Sequence, residues 1–245
     1  MKALVTGASR GIGEAVAREL DQLGYELILV GRSRVDLEKL AGQLKSAQVY
    51  CADLSLPEQI KSLAEAVGPI QVLVNNAGQA ASSPIHKLSW EEWNHLLTLN
   101  AGSVMLCSQA FLPGMRAAGW GRIVNIASVA GLAGAKYISA YAASKHACIG
   151  LTRSMAAEVA GWGITVNAVC PGFVATPMTE ATLDRIVAQT GRSREEAQAS
   201  LTATNPQGRL IEPEEVAYAV GFLCHQRAGS INGQTLVIDG GGLLS

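Results

Sequence analysis

Lys2-Ala3-Leu4-Val5-Thr6-Gly7-Ala8-Ser9-Arg10-Gly11-Ile12-Gly13 is the stretch that decides the fold. The apolar run KALVT leads into a glycine-rich turn, and GEAVARELDQLG behind it has helical periodicity. Glycines permit a tight turn and close backbone approach. A helix N-terminus adds free N–H groups and the positive end of a dipole. In this strand–turn–helix context Gly7, Ser9, Arg10, Gly11, Ile12 and Gly13 read as a cradle for a pyrophosphate. Gly7, Ser9 and Gly11 also match GxSxG, the nucleophile elbow of α/β-hydrolases, which likewise joins a strand to a helix. Position argues against the elbow, because only six residues precede Gly7, too few for the strands and oxyanion loop that come before it. None of His86, His95, His146 and His225 has a triad context.

Working outward, YELILVG, AQVYC, IQVLVNN, GRIVNIA, GITVNAV and QTLVID repeat the short apolar run, with amphipathic segments such as RVDLEKLAGQLK between them. Near-continuous apolar strands alternating with helices predict an α/β fold, a doubly wound (Rossmann) parallel sheet covered on both faces. Right-handed crossovers give about seven strands. No linker, repeat or low-complexity tract divides the chain, so residues 1–245 read as a single domain. Ser89 to Gly119 is too long for a simple crossover and should hold a helix that is irregular near Asn100. Thr176 to Glu212 (176–212) reads as a substrate lid at the carboxyl end of the sheet, with SREEAQASL as a helix.

Apolar residues make up 49% of the 245 and charged residues 16%, low for a monomer and suggestive of buried subunit contacts. A net charge of −1 without a basic block excludes a nucleic-acid footprint. Cys51, Cys107, Cys148, Cys170 and Cys224 are scattered in apolar context and read as thiols. No metal motif is present. MKALVTG lacks the pattern of a signal peptide, and no uninterrupted apolar run has the length of a membrane span. The simplest expectation is a cytoplasmic protein without a membrane partner.

Strand two ends at Val30-Gly31-Arg32-Ser33, where an acidic residue would select NAD and an arginine accommodates a 2′-phosphate. Arg32, with Arg10 in reach, therefore predicts NADP(H) in preference to NAD(H). Tyr141 and Lys145, in YAASK, stand four residues apart, about one helical turn, and share a face. A cation beside a phenol favours its ionised form and fits a tyrosine for acid–base work.

These features resemble the short-chain dehydrogenase/reductase family over nearly the whole chain. TGASRGIG, Asp53 in ADLS, Asn75-Asn76-Ala77-Gly78, Asn100 in TLNAGS, Ser128 in IASVAG, YAASK, and Pro171-Gly172 followed by Thr176 carry the resemblance. It implies that Tyr141 is the proton donor, that Lys145 tunes it and bonds the nicotinamide ribose, that Ser128 holds the substrate oxygen, and that Asn100 fixes a water of a proton relay. It implies cofactor contacts from Ser33, Asp53 and Leu54 at the adenosine end. Asn76, Ala77 and Gly78 would line the ribose, and Pro171, Gly172, Val174 and Thr176 the nicotinamide. Asn75 reads equally well as a structural residue. Within the family the chain looks most like 3-oxoacyl-[acyl-carrier-protein] reductases. The expected substrate is an acyl thioester or another small molecule, with acyl carrier protein as a partner and Arg116, Arg122, Arg192, Arg194 and Arg209 as candidate carrier contacts. The alternatives are a hydroxyacyl-CoA or secondary alcohol dehydrogenase and, from another class, a non-catalytic dinucleotide sensor. The resemblance also implies a homotetramer in which helices Ser89–Gly119 and Ala140–Gly161 meet their copies; Ala142, Ala143, Ala147, Met155 and Ala156 suit such close approach, and ordinary core packing explains them too.

Overall fold

A computed structural model describes residues 1–244. All seven expected strands form: β1 (Lys2–Thr6), β2 (Glu26–Gly31), β3 (Ala47–Cys51), β4 (Val72–Asn75), β5 (Gly121–Ile126), β6 (Ile164–Pro171) and β7 (Thr235–Ile238). They make one parallel sheet in the order β3-β2-β1-β4-β5-β6-β7. Successive strand side chains point to opposite faces, so an uninterrupted apolar strand needs cover on both. Ala3, Val5, Leu27 and Leu29 face one layer, where α1 (Gly11–Gln22), α2 (Arg34–Ala41) and α9 (Pro213–Cys224) contribute Val16, Leu20, Leu37, Val216 and Val220. Leu4, Ile28, Val30 and Leu73 face the other. There α3 (Pro57–Val67), α5 (Ser103–Ala118) and α6 (Ser139–Val159) supply Ile60, Leu63, Phe111, Met115 and Val159.

The segment from Ser89 to Gly119 is irregular where expected. Helix α4 (Trp90–Leu97) passes through a π-helical turn, Thr98–Gly102, into α5. A π turn re-aims side chains and is frequent at functional sites. By length and composition the continuous run Trp90–Ala118, whose most apolar 18-residue window has a mean hydropathy of 1.3, would suffice to cross a membrane. Its α5 part instead buries Val104, Cys107, Phe111 and Met115 against the sheet, as a core helix does.

The segment 176–212 holds more structure than its polarity suggested. Besides α8 (Arg194–Thr202), which covers the expected SREEAQASL, it contains α7 (Pro177–Thr190), started by Pro177 in the first turn. Leu183, Ala197 and Leu201 give the pair a small apolar core of its own. A parallel bridge from Val174 to Ile211 closes its base. All five cysteines are free thiols; four are buried and Cys51 is exposed.

Candidate active site

Strand order reverses direction between β1 and β4, and in open α/β sheets ligands bind at the carboxyl edge of such a switch point. Thr6 stitches the edge together. Its hydroxyl donates to Val74 O (3.4 Å) and accepts the N–H groups of Asn76 (2.9 Å) and Ala77 (3.0 Å). The Asn76 amide returns the bond, donating to the carbonyls of Thr6 (2.9 Å) and Gly7 (3.1 Å). Asn75 turns inward instead and donates to Asn125 Oδ1 (2.9 Å) and Ser108 Oγ (3.3 Å), a structural role.

The glycine-rich turn fits a dinucleotide on its own geometry. Gly7 has φ +64°, and a Cβ there would lie 2.9 Å from Asn76 Nδ2. A Cβ on Gly13 would sit on the Gly7 carbonyl oxygen. The turn is therefore as tight as a chain without side chains permits. Arg10 at the N-cap of α1 makes no capping bond through its side chain, which leaves first-turn N–H groups for an anion. Arg10 and Arg32 are exposed, and neither guanidinium has a hydrogen-bond or ion-pair partner among the described residues. Ser33 caps α2 through Asp36 N (3.4 Å). Asp53 accepts the hydroxyl (2.7 Å) and N–H (2.9 Å) of Ser55, which hold its carboxyl below the usual range, and Arg32 adds to this. The Leu54 side chain is buried in the core, so only its backbone faces outward.

Beside the turn lies a cleft of about 390 Å³. Ile12, Asn76, Gly78, Ser128, Tyr141, Lys145, Pro171, Gly172, Val174 and Thr176 all line it, brought from three strand ends and two helices. Gly7, Ser9, Arg10, Gly11, Gly13, Arg32, Ser33, Asp53, Leu54, Ala77 and Asn100 lie outside its wall. Tyr141 and Lys145 ride the first two turns of α6. Lys145 is buried; its Nζ donates to Ile126 O (2.9 Å) and stands 5.8 Å from the centre of the Tyr141 ring. Ser128 follows β5, and its oxygen accepts Ala130 N–H (3.1 Å), leaving the hydroxyl proton free to donate.

Asn100 is 1% exposed and does something the sequence did not disclose. Its Oδ1 accepts Gln79 N–H (2.9 Å), and its Nδ2 donates to Gln79 O and Ser144 Oγ (2.9 Å each). Ser144 in turn donates to Tyr141 O (2.7 Å). Both amide N–H donors are spent on positioning the cleft wall and α6, and one lone pair of Oδ1 is spent as well.

Several lining residues had no signal in the sequence. Gln79–Ser82 and Ala133–Ala135 come from loops without periodicity, and Arg185, Asn205 and Asp239 are remote in the chain. The two loops are joined by Ser83 N donating to Tyr137 O (2.7 Å), at a tyrosine with φ +68°.

The family model for short chain dehydrogenases matches residues 1–186. The chain belongs to this family. It is accordingly an oxidoreductase that interconverts carbonyl and hydroxyl groups. This short-chain dehydrogenase is 38% identical to the 3-oxoacyl-[acyl-carrier-protein] reductase of Vibrio cholerae, over 98% of its own length and 96% of the relative's. It is 37% identical to the acetoacetyl-CoA reductase of Rhizobium meliloti, covering 98% of this chain and 97% of that one. Among solved structures, a variant of actinorhodin polyketide ketoreductase with NADPH superposes with a TM-score of 0.94 at 37% identity, over 98% of this chain and 95% of the other.

In this dehydrogenase two expectations about carrier contacts are corrected. Arg122 opens β5, at the end of the sheet opposite the cleft, and is only 3% exposed. Its guanidinium donates to the carbonyls of Gly121 (2.8 Å), Gly163 (3.4 Å) and Gln226 (3.3 Å) and stacks over Trp120 (4.5 Å). It ties strand starts together and cannot reach a carrier. Arg116 lies at the same far end, over Trp162 at 4.2 Å. Arg194 is held by Glu180 and Asp184, and Arg209, on the cleft wall, by Glu215. Ala142 and Ala156 are also reassigned: both are buried within the single chain and pack its core rather than a copy.

Proposed function

We propose that this enzyme reduces a 3-oxoacyl thioester to the 3-hydroxyacyl form with NADPH. The observation that carries this reading is the convergence of Ser128, Tyr141 and Lys145 on one cleft that opens beside the glycine-rich turn. The turn, Asn76 and the free guanidinium groups of Arg10 and Arg32 would hold the dinucleotide, with the two arginines meeting a 2′-phosphate. A reduced nicotinamide, when bound, supplies a hydride to a carbonyl carbon. The Ser128 hydroxyl donates to the substrate oxygen and keeps it beside Tyr141. As negative charge develops on that oxygen, the Tyr141 hydroxyl donates its proton there. The Lys145 ammonium, close to the ring, offsets the charge left on the phenolate oxygen. Nζ has further N–H donors besides the one given to Ile126 O, which suits it to hold a ribose hydroxyl. With the Asn100 amide committed, a relay water at this residue would be held mainly by its main-chain carbonyl in the π turn.

Support for a thioester substrate comes from the similarity to the Vibrio cholerae and Rhizobium meliloti reductases, and for NADPH from the ketoreductase structure that carries it. Acyl carrier protein or coenzyme A would deliver the substrate to the lid side, and the protein would work in the cytoplasm as a homotetramer. The test is loss of absorbance at the reduced-nicotinamide band with acetoacetyl-CoA and a panel of cyclic ketones, with NADPH and NADH in parallel. Consumption of acetoacetyl-CoA, faster with NADPH, is expected. Faster turnover of cyclic ketones or of secondary alcohols would favour the dehydrogenase reading, and no turnover of anything would favour a sensor.

A further inference from the structure

Four charged side chains line the cleft: Lys145, Arg185, Arg209 and Asp239. Three already have work. Lys145, with one N–H on Ile126 O, is assigned to Tyr141 and the ribose, and Arg209 donates to Glu215 through both terminal nitrogens (2.6 and 2.8 Å). Asp239 accepts the N–H groups of Gly241 and Leu243 (2.8 Å each). Arg185 differs. It projects from α7, is half-buried, and spends one N–H on Ser82 Oγ at 3.2 Å. Its other donors meet no protein acceptor among the described residues, and it forms no ion pair there. A partly desolvated cation without a counter-charge gains most from an incoming oxyanion, which takes short, charge-assisted, bidentate bonds from a guanidinium.

We propose that Arg185, with Ser82 beside it, anchors the substrate by an oxyanion set apart from the reacting carbonyl. This rests on the carbonyl-reductase reading and adds to it a class of substrate: a ketone at the Ser128–Tyr141 end and a negative group at the α7 end. Two sources carry that chemistry, the carboxylate of a free oxo acid and the phosphate of a phosphopantetheine arm. The same walls explain why the anchor lies on the lid. Tyr141 and Ser128 belong to the sheet side, whereas Arg185 comes from α7, so a substrate held at both ends bridges the body and the lid.

Calorimetric titration at saturating NADPH, which keeps the nucleotide from serving as the anion and cannot react with an alcohol, reads this without turnover. The probes are two pairs, 3-hydroxybutyrate with its ethyl ester and 4′-phosphopantetheine with pantetheine. The charged member of one pair should bind the wild type roughly tenfold tighter or better, as expected of one charged hydrogen-bonded contact. That pair identifies the source. R185Q should reduce the preference to less than about threefold while still binding NADPH, and R185K should keep part of it. S82A removes the internal contact but leaves the charge, and should retain most of the preference. Three results would each overturn the assignment: no preference in the wild type, a preference that survives R185Q, or a loss in S82A as complete as in R185Q. Failure of every ketone to react would count against the carbonyl-reductase reading alone, because the titration still reports on Arg185.

Discussion

The roles proposed for Tyr141 and Lys145 rest on one helical turn and on the Ile126 carbonyl, which fixes the ammonium next to the ring. Replacing Tyr141 by Phe keeps the ring and its packing and removes only the transferable proton. Tyr141→Phe should therefore lower kcat about 10²- to 10⁴-fold while nucleotide affinity stays nearly constant, as seen by comparing turnover with NADPH titration. A variant that keeps most of its turnover would take the acid role from Tyr141. Arg32 makes the second residue-scale case. Its guanidinium makes no hydrogen bond or ion pair among the described residues and acts on Asp53 only at longer range, so its replacement costs the fold little. Arg32→Asp should shift the NADP-to-NAD preference in kcat/KM by roughly 10- to 100-fold, the worth of one charged hydrogen bond plus its reversal into repulsion. An unchanged ratio would return Arg32 to solvent.

Between elements, the helix layer is tied to the strands beneath the cleft by buried amides rather than by ion pairs. Asn125 is fully buried on β5; it accepts from Asn75 on β4 and donates to Thr152 on α6 (2.9 Å each). Asn125→Ala would take one bond each from the buried Asn75 and Thr152, which keep Ser108 Oγ and the Cys148 carbonyl, and should cost about 1–2 kcal/mol, visible as a lower urea midpoint at unchanged slope. The entrance to α9 is held differently. Arg209 clasps Glu215, and the Glu212 N–H adds to it, which brings the Glu215 carboxyl from 4.5 down to about 2. A depressed carboxylate contributes stability that is complete above 4.5 and disappears as pH falls toward 2. Because both side chains are more than one-third exposed, the loss should stay below about 1 kcal/mol. Glu215→Gln should show it as a shallower acid slope in denaturant midpoints between pH 5 and 2. The elements themselves were largely legible. Seven apolar runs gave seven strands because a strand covered on both faces has no polar alternation to blur it. The missed helix α7 buries only Leu183 fully among its apolar residues, with Ile186 and Val187 half-buried beside it, and its one clear boundary signal was Pro177 directly after Thr176. The glycine-rich turn, Ser128, Tyr141 and Lys145 could be read because each sits at a fixed offset from a strand end or on one helix face. The opposite wall could not, since Gln79–Ser82, Ala133–Ala135 and Arg185 meet the cleft only through tertiary packing. Asn100 was visible as a position, but its bonds to Gln79 and Ser144 depend on the π turn.

At the scale of the molecule, low charge content and an apolar exterior point beyond one chain. Along α5 and α6, Ala147 is exposed, Ala143 and Met155 are half-buried, and Met105 is 42% exposed. A face of small residues lets two helices approach closely, and a two-fold axis makes the contact match itself. α6 also carries Tyr141 and Lys145, so contacts on its outer face would stiffen the helix whose inner face is proposed to do the chemistry. Light scattering should report four times the chain mass of 25.6 kDa. Ala147→Arg places a charge where the lone chain has open surface, so the monomer fold should survive by circular dichroism while the mass falls. A wild-type mass of one chain would remove the tetramer, and a tetrameric Ala147→Arg would move the contact away from α6. If the mass does fall, the kcat of the variant decides whether that helix needs its copy, because an intact rate would confine the partner's effect to stability.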